Sequence, residues 1–146
     1  MKFIFLLIAL AAIGYFLLQN TPSGERLKTY FGSGYNQVNA GDLFSTANLY
    51  NGKKVCAKGY YIESAGTSVL KATIDAETYH NSAWVVNSSG KQIFVDAMGD
   101  GKWANAKLCG KFESTRGGGF GQSTLWDNQI TVESFELLGK TTLLPR

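Results

Sequence analysis

Histidine occurs once in this chain, at His80, and cysteine only twice, at Cys56 and Cys109. There is no Cys-x-x-Cys pair and no His-Glu-x-x-His stretch, so the usual ligand sets of zinc sites are missing. The nucleophile elbow of hydrolases is absent too. Gly117-Gly-Gly-Phe-Gly121 is glycine-rich, but the Lys-Ser/Thr that completes a phosphate loop does not come after it. Asp96-Ala-Met-Gly-Asp100-Gly101 brings two acids close to a glycine, yet its spacing misses the EF-hand loop and suits a polar turn at a strand end. His80, Asp75 and Glu77 fall in one long connection, where polar residues are ordinary. No catalytic residue, metal ion or cofactor is expected from these patterns.

Proline is scarce as well, with 2 residues, and charge is modest at 17%. The net charge of +3 comes from 14 Lys and Arg against 11 Asp and Glu, spread along the chain. Proteins that hold nucleic acid electrostatically gather more charge than this on one face. An apolar content of 45% excludes intrinsic disorder for most of the chain. Its 17 Gly and 13% aromatics favour short strands joined by tight turns over a helical bundle.

Lys2 precedes an uncharged apolar run from Phe3 to Leu18. As a helix rising 1.5 Å per residue, that run covers about 24 Å, slightly less than a hydrocarbon core of about 30 Å. Gln19, Asn20 and Thr21 extend it into the headgroups. A cleaved signal peptide is one alternative, but the only Ala-x-Ala of the leader lies inside the run, at Ala9 and Ala11. A buried core helix is another, but such a helix is amphipathic and this one is apolar all round. The favoured reading is a single-pass signal-anchor over residues 1–19 in the inner membrane. A one-residue tail before the run is typical of anchors that export the chain beyond them, which places the remainder outside the cytoplasm. Residues 20–39 then read as a linker, residues 40–138 as one domain, and residues 139–146 as a tail.

Within the domain, Asp42 to Tyr50 reads as one or two helical turns capped by Asp42. Strands are expected over residues 53–63, 82–87, 92–97, 106–114 and 129–138. The second and third form a hairpin through Ser88-Ser-Gly90. Val69 to Ile74 adds a short strand inside the long connection after the first. The last two strands alternate apolar and polar at period two over most of their length. This spacing fits an all-β, five-stranded Greek-key barrel better than a sandwich.

In these features the chain resembles the bacterial OB-fold (oligonucleotide/oligosaccharide-binding) proteins related to tRNA-anticodon-binding-like domains, which are often small and membrane-anchored. The resemblance rests on Asn51-Gly-Lys-Lys-Val-x-x-x-Gly59 and its echo Ala106-Lys-Leu-Cys-Gly-Lys-Phe112, then on Gly119-Phe-Gly121 and Gln129-Ile-Thr-Val132. It spans roughly residues 40–138, and it implies an OB-like barrel without implying a ligand. Ligand in such barrels lies across the second and third strands and the two loops beside them. The loops expected here are Ser64–Tyr79 and Arg116–Asn128. Arg116, Phe120 and Trp126, with Trp84 on the strand Ser82–Asn87, are therefore the candidate ligand contacts. The two loop aromatics either stack on a base or sugar, or fold back to plug the barrel end.

An OB barrel also makes the first and fourth strands antiparallel neighbours. Cys56 and Cys109 occupy the same place in two similar strings, Lys-Val-Cys-Ala-Lys and Lys-Leu-Cys-Gly-Lys. If Val55, Ala57 and Leu108 face the core, both sulfurs point outward on facing strands. They then either form a disulfide or remain two unreactive thiols. Lys54, Lys58, Lys107 and Lys111 surround them, as a solvated face that discourages edge pairing or as a basic patch for anionic lipid or a polyanion. The function expected is a non-catalytic, membrane-anchored OB-fold binding or adaptor module in the cell envelope. Its partners are the membrane, through the N-terminal helix, and another envelope protein. The alternative is a domain that binds single-stranded nucleic acid.

Overall fold

A computed structural model describes residues 34–75, 79–94 and 101–144, in one compact unit that begins at Tyr35. The expected anchor over residues 1–19 and most of the expected linker lie outside the described residues. No helix among the described residues is long and apolar enough to cross a membrane.

The chain is mostly β and closes a five-stranded barrel. Its strands are β2 (Lys54–Ser64), β3 (Thr67–Lys71), β4 (Ser82–Asn87), β5 (Lys102–Ser114) and β6 (Asn128–Leu137). Strand β2 runs antiparallel to β3, and β3 antiparallel to β4. Strand β4 pairs in parallel with β6, β6 antiparallel with β5, and β5 antiparallel with β2, which closes the ring. Two short strands extend it. Strand β1 (Asn36–Asn39) lies parallel on β2, and β7 (Thr142–Leu143) pairs with the start of β5.

The interior comes from the period-two alternation of the strands. Val55, Ala57 and Tyr61 of β2 meet Ala104, Leu108 and Phe112 of β5, all at most 2% exposed. Ile130 and Val132 of β6 and Leu70 of β3 complete the wall. Helix α1 (Ala40–Ser45) packs onto this core through Ala40, Leu43 and Phe44, which share one helical face at spacings of three and four. A second short helix, α2 (Ala47–Tyr50), comes directly after it.

Three expectations are corrected. Asp42 does not cap the helix: Asn39 holds that position without a side-chain bond, and Asp42 lies in the first turn. Its carbonyl instead accepts from the Thr46 backbone N–H and from the Ser45 and Thr46 hydroxyls. The strand expected over residues 92–97 is not formed at residues 92–94, and residues 95–97 lie outside the described residues. The chain turns sharply after β4 instead. The Asn87 Oδ1 accepts from the backbone and hydroxyl of Ser89, while its Nδ2 donates to the Lys91 carbonyl. Such local side-chain bonds compete with strand pairing. Ile93 and Phe94 are apolar because they enter the core, where the Phe94 ring lies 5.0 Å from that of Tyr61. The barrel's second strand is accordingly β3, joined to β2 through Ala65 and Gly66. Asn36–Asn39 of the expected linker pair with β2, and the sheet reaches Leu143 in the expected tail.

Candidate binding surface

A second apolar cluster lies on the opposite face of the strands from the core. It contains Ile62, Val69 and Trp126, each no more than 8% exposed, with Trp84, Trp103, Phe120 and Leu144 packed against them. The register explains the grouping. Ile62 pairs with Val69 on one side and Trp103 on the other, and Val69 pairs with Trp84, so one row of outward side chains crosses β5, β2, β3 and β4.

The glycine-rich connection between β5 and β6 folds down onto this row. Phe120 and Trp126 face each other across a short antiparallel bridge, with nitrogen-to-carbonyl-oxygen distances of 3.1 and 3.3 Å. The Trp126 ring then packs on Trp84 at 4.9 Å, and Tyr79 meets it edge-on at 4.9 Å. Gly121 holds φ +69° directly over these rings: a Cβ there would lie 2.6 Å from Trp84 and 2.7 Å from Trp126. At the rim, Tyr79 and Leu125 remain 44% and 45% exposed. Of the four candidate contacts, the structure thus brings together Trp84, Phe120 and Trp126. The two loop aromatics fold back onto the barrel's outer wall rather than its end.

Arg116 is exposed and lines a separate cavity of about 240 Å³ with His80, Asp127, Asn128 and Ser114. Asp127 organises the loop here. One carboxylate oxygen accepts from the Gly118 N–H at 2.6 Å, the other faces His80 Nδ1, and the Asp127 carbonyl accepts from the Thr115 N–H. Asn128, 2% exposed, donates its Nδ2 to the carbonyls of His80 and Ser82, while its buried Oδ1 has no partner among the described residues. The sequence pattern does not reveal this group, because residues 80 and 127 lie far apart in the chain. The Asp127-Asn128 pair ahead of an alternating strand is its one local signal. No group of His, Cys, Asp or Glu among the described residues is arranged to hold a metal ion.

Across the β2–β5 ladder, Cys56 stands opposite Cys109 and the two are joined, with S–S 2.04 Å and Cα–Cα 4.0 Å. They lie on the outward face, as Val55, Ala57 and Leu108 occupy the core, yet they are only 4% and 8% exposed. The lysines frame them in register: Lys54 opposite Lys111 on one side, Lys58 opposite Lys107 on the other. Like charges facing across strands repel, and two of the four are neutralised. Lys54 Nζ lies 2.9 Å from Glu133, and Lys111 Nζ 2.9 Å from Glu113.

Glu133 is the additional residue of a bulge, since Cys109 pairs with Ser134 while Gly110 pairs with Val132. It also accepts from the Tyr35 hydroxyl. That hydrogen bond, and then Lys54, hold the Glu133 carboxyl below the ordinary carboxylate range, while Tyr35 and Lys54 are raised by the same contacts. Burial pushes the Tyr61 phenol well up. Lys58 has no carboxylate partner among the described residues and borders two open clefts beside β1 and α1, of about 530 and 390 Å³.

No family model, curated protein or solved structure matches this chain.

Proposed function

We propose that the barrel is of the OB type and serves as a non-catalytic adaptor, held at the membrane by residues 1–19 and meeting another envelope protein through its outer aromatic face. The closing order of the strands, with β4 and β6 as the barrel's one parallel pair, supports the OB assignment. The observation that carries the adaptor reading is the second apolar cluster. A barrel of this size needs only its interior to fold. Here a row of Ile62, Val69, Trp84 and Trp103 is apolar on the outside as well, with Tyr79 and Leu125 left open at its rim. Aromatic and aliphatic side chains left exposed next to one another mark protein contact sites.

The nucleic-acid reading draws less support. Trp126 is stacked inside the cluster, and Arg116 lines a different cavity. The test is site-specific photocrosslinking of the full chain in its membrane, with the crosslinker at Leu125 or at Tyr79. A discrete protein adduct at both positions, absent when the crosslinker is at Ser89 on the turn after β4, is the expected result. Adducts with lipid alone, or equal adducts at all three positions, count against the adaptor. Binding of single-stranded oligonucleotide that weakens steeply with salt would favour the alternative.

A further inference from the structure

The disulfide lies on the outward face of β2 and β5, with Cys56 4% and Cys109 8% exposed between two pairs of facing lysines. Strands β2 and β5 are already aligned by consecutive register pairs from Lys54 with Lys111 to Glu63 with Lys102, so the ladder fixes their position independently of the sulfurs. In the oxidised protein the two facing lysine pairs flank a neutral S–S bond, and only Lys54 and Lys111 have a carboxylate within ion-pair distance. Reduction would place acidic thiols between them. Lys54 and Lys58 are each two residues from Cys56, and Lys107 and Lys111 two residues from Cys109, about 7 Å along the same face of each strand. The other charged groups on this face are Glu133 beside Lys54, Glu113 beside Lys111, and Glu136, which stands opposite Lys107 on β6. The strand on the other side of β2 brings Gln37, an uncharged residue, next to Cys56. Among the described residues of this face, neither Lys58 nor Lys107 lies within ion-pair distance of a carboxylate, and Lys58 is exposed.

We propose that Cys56–Cys109 is an exchange-active disulfide, a site of reversible reduction by a dithiol, with Lys58 and Lys107 holding the released thiolate. A thiolate of the reductant attacks one Sγ, forming a mixed disulfide and breaking the Cys56–Cys109 bond. The other cysteine leaves as a thiolate. The second thiol of the reductant then attacks the mixed disulfide, so that two electrons and two protons pass from the dithiol to the protein and the reductant departs as its own disulfide. Nearby cations lower the pKa of a leaving thiol, and a thiol of lower pKa leaves faster and is released more favourably. Reduction converts the face from a clamped ladder into one held by backbone hydrogen bonds alone, beside the adaptor surface rather than within it.

The experiment equilibrates the full chain with dithiothreitol at a series of ratios to its oxidised form. The reduced fraction is read by alkylation and mass spectrometry, for the natural protein and for Lys58→Gln/Lys107→Gln. Both lysines lie on the strand surface outside the core, so the variant is expected to fold, and circular dichroism of both redox states checks it. At a pH above the thiol pKa of both proteins, the variant should need about a ten-fold more reducing ratio for half reduction, matching loss of about one pKa unit of thiolate stabilisation. Its thiols should alkylate with a higher apparent pKa than those of the natural protein. A ratio and a thiol pKa that the double variant leaves unchanged would overturn the proposal. So would reduction that unfolds the natural barrel, because the bond would then be purely structural. The readout involves no adaptor partner, so its failure and the failure of the adaptor reading are separate events.

Discussion

Gly121→Ala should loosen the cover over the outer aromatic cluster, and Gly117→Ala, four residues earlier, should not. Both glycines hold positive φ, +69° and +87°, so each alanine is strained, by about 1 kcal/mol at Gly117 and by about 1–3 kcal/mol at Gly121, whose ψ of −167° falls in a region that glycine almost alone adopts. They differ also in what the new methyl touches. At Gly117 nothing lies within 4 Å, whereas at Gly121 the Cβ would fall 2.6 Å from Trp84 and 2.7 Å from Trp126. Carbon atoms rest near about 3.5–4.0 Å apart, so the loop must lift by about 1 Å or the rings must turn. Overfilling of this kind costs about 1–3 kcal/mol. The expected losses are therefore about 1 kcal/mol for Gly117→Ala and about 2–6 kcal/mol for Gly121→Ala, or about 4 °C and about 8–24 °C in Tm for a domain of this size. Thermal unfolding by circular dichroism measures the difference. Tryptophan emission at about 25 °C, well below the transition, should shift to the red only in Gly121→Ala as water reaches Trp84 and Trp126. Equal Tm losses in the two variants, with unchanged emission, would refute the account of Gly121 as the contact that seats the loop.

Gly110→Ala should be among the most damaging single changes, because its Cβ would lie 1.9 Å from the Thr131 carbonyl oxygen and force β5 and β6 apart at the bulge. A loss above about 3 kcal/mol is expected, against less than about 0.5 kcal/mol for Gly139→Ala, whose nearest contact is an ordinary 4.0 Å; urea denaturation compares them. Replacing both cysteines by serine releases a closure of 53 residues and should cost about 4 kcal/mol, seen as a lower urea midpoint. Glu133 should titrate below an ordinary glutamate by carbon NMR, and Tyr35→Phe, which removes the larger cause, should move it back up. Because its folded value is depressed, the stabilisation from Glu133 is present above the unfolded glutamate pKa and lost as pH falls through the folded one. Lys54 and Tyr35 have raised values, so their share is present at neutral pH and lost only as pH rises through their folded values.

Strands β5 and β6 were legible because each carries alternation over most of its length, and alternation is a direct consequence of one wall facing a core. The facing cysteines were legible for the same reason, since two matching strings on neighbouring antiparallel strands put equivalent residues opposite each other. Strand β1 was not. Asn36-Gln-Val-Asn39 has no apolar alternation, and its conformation comes from hydrogen bonding to the free edge of β2, a contact no local pattern records. Ile93 and Phe94 misled because burial raises hydrophobicity equally in a loop and in a strand. What distinguished them was the Asn87-Ser-Ser turn just before, whose side chains satisfy the backbone locally. The Glu133 bulge was invisible too: it shifts the register by one residue without any change in composition, and that shift aims the carboxylate at Lys54 and Tyr35.

The outer cluster did leave a trace in the sequence, in the places where alternation fails. Tyr60-Tyr-Ile62 and Val69-Leu70 put large apolar groups on consecutive positions, and a strand does that when both of its faces are covered. In the structure Tyr61 and Leu70 face the core, while Ile62 and Val69 lie under the loop and Trp84. The glycines of residues 117–121 fit the same account. Their positive φ values bend the chain back over the wall instead of extending it into solvent, and Gly121 permits contact with two tryptophans that any side chain would block. A loop shaped to sit this close serves first as a cover. Any partner on this side of the barrel therefore meets the exposed rim of Tyr79 and Leu125, and reaches Trp84 or Trp126 only after the loop has lifted.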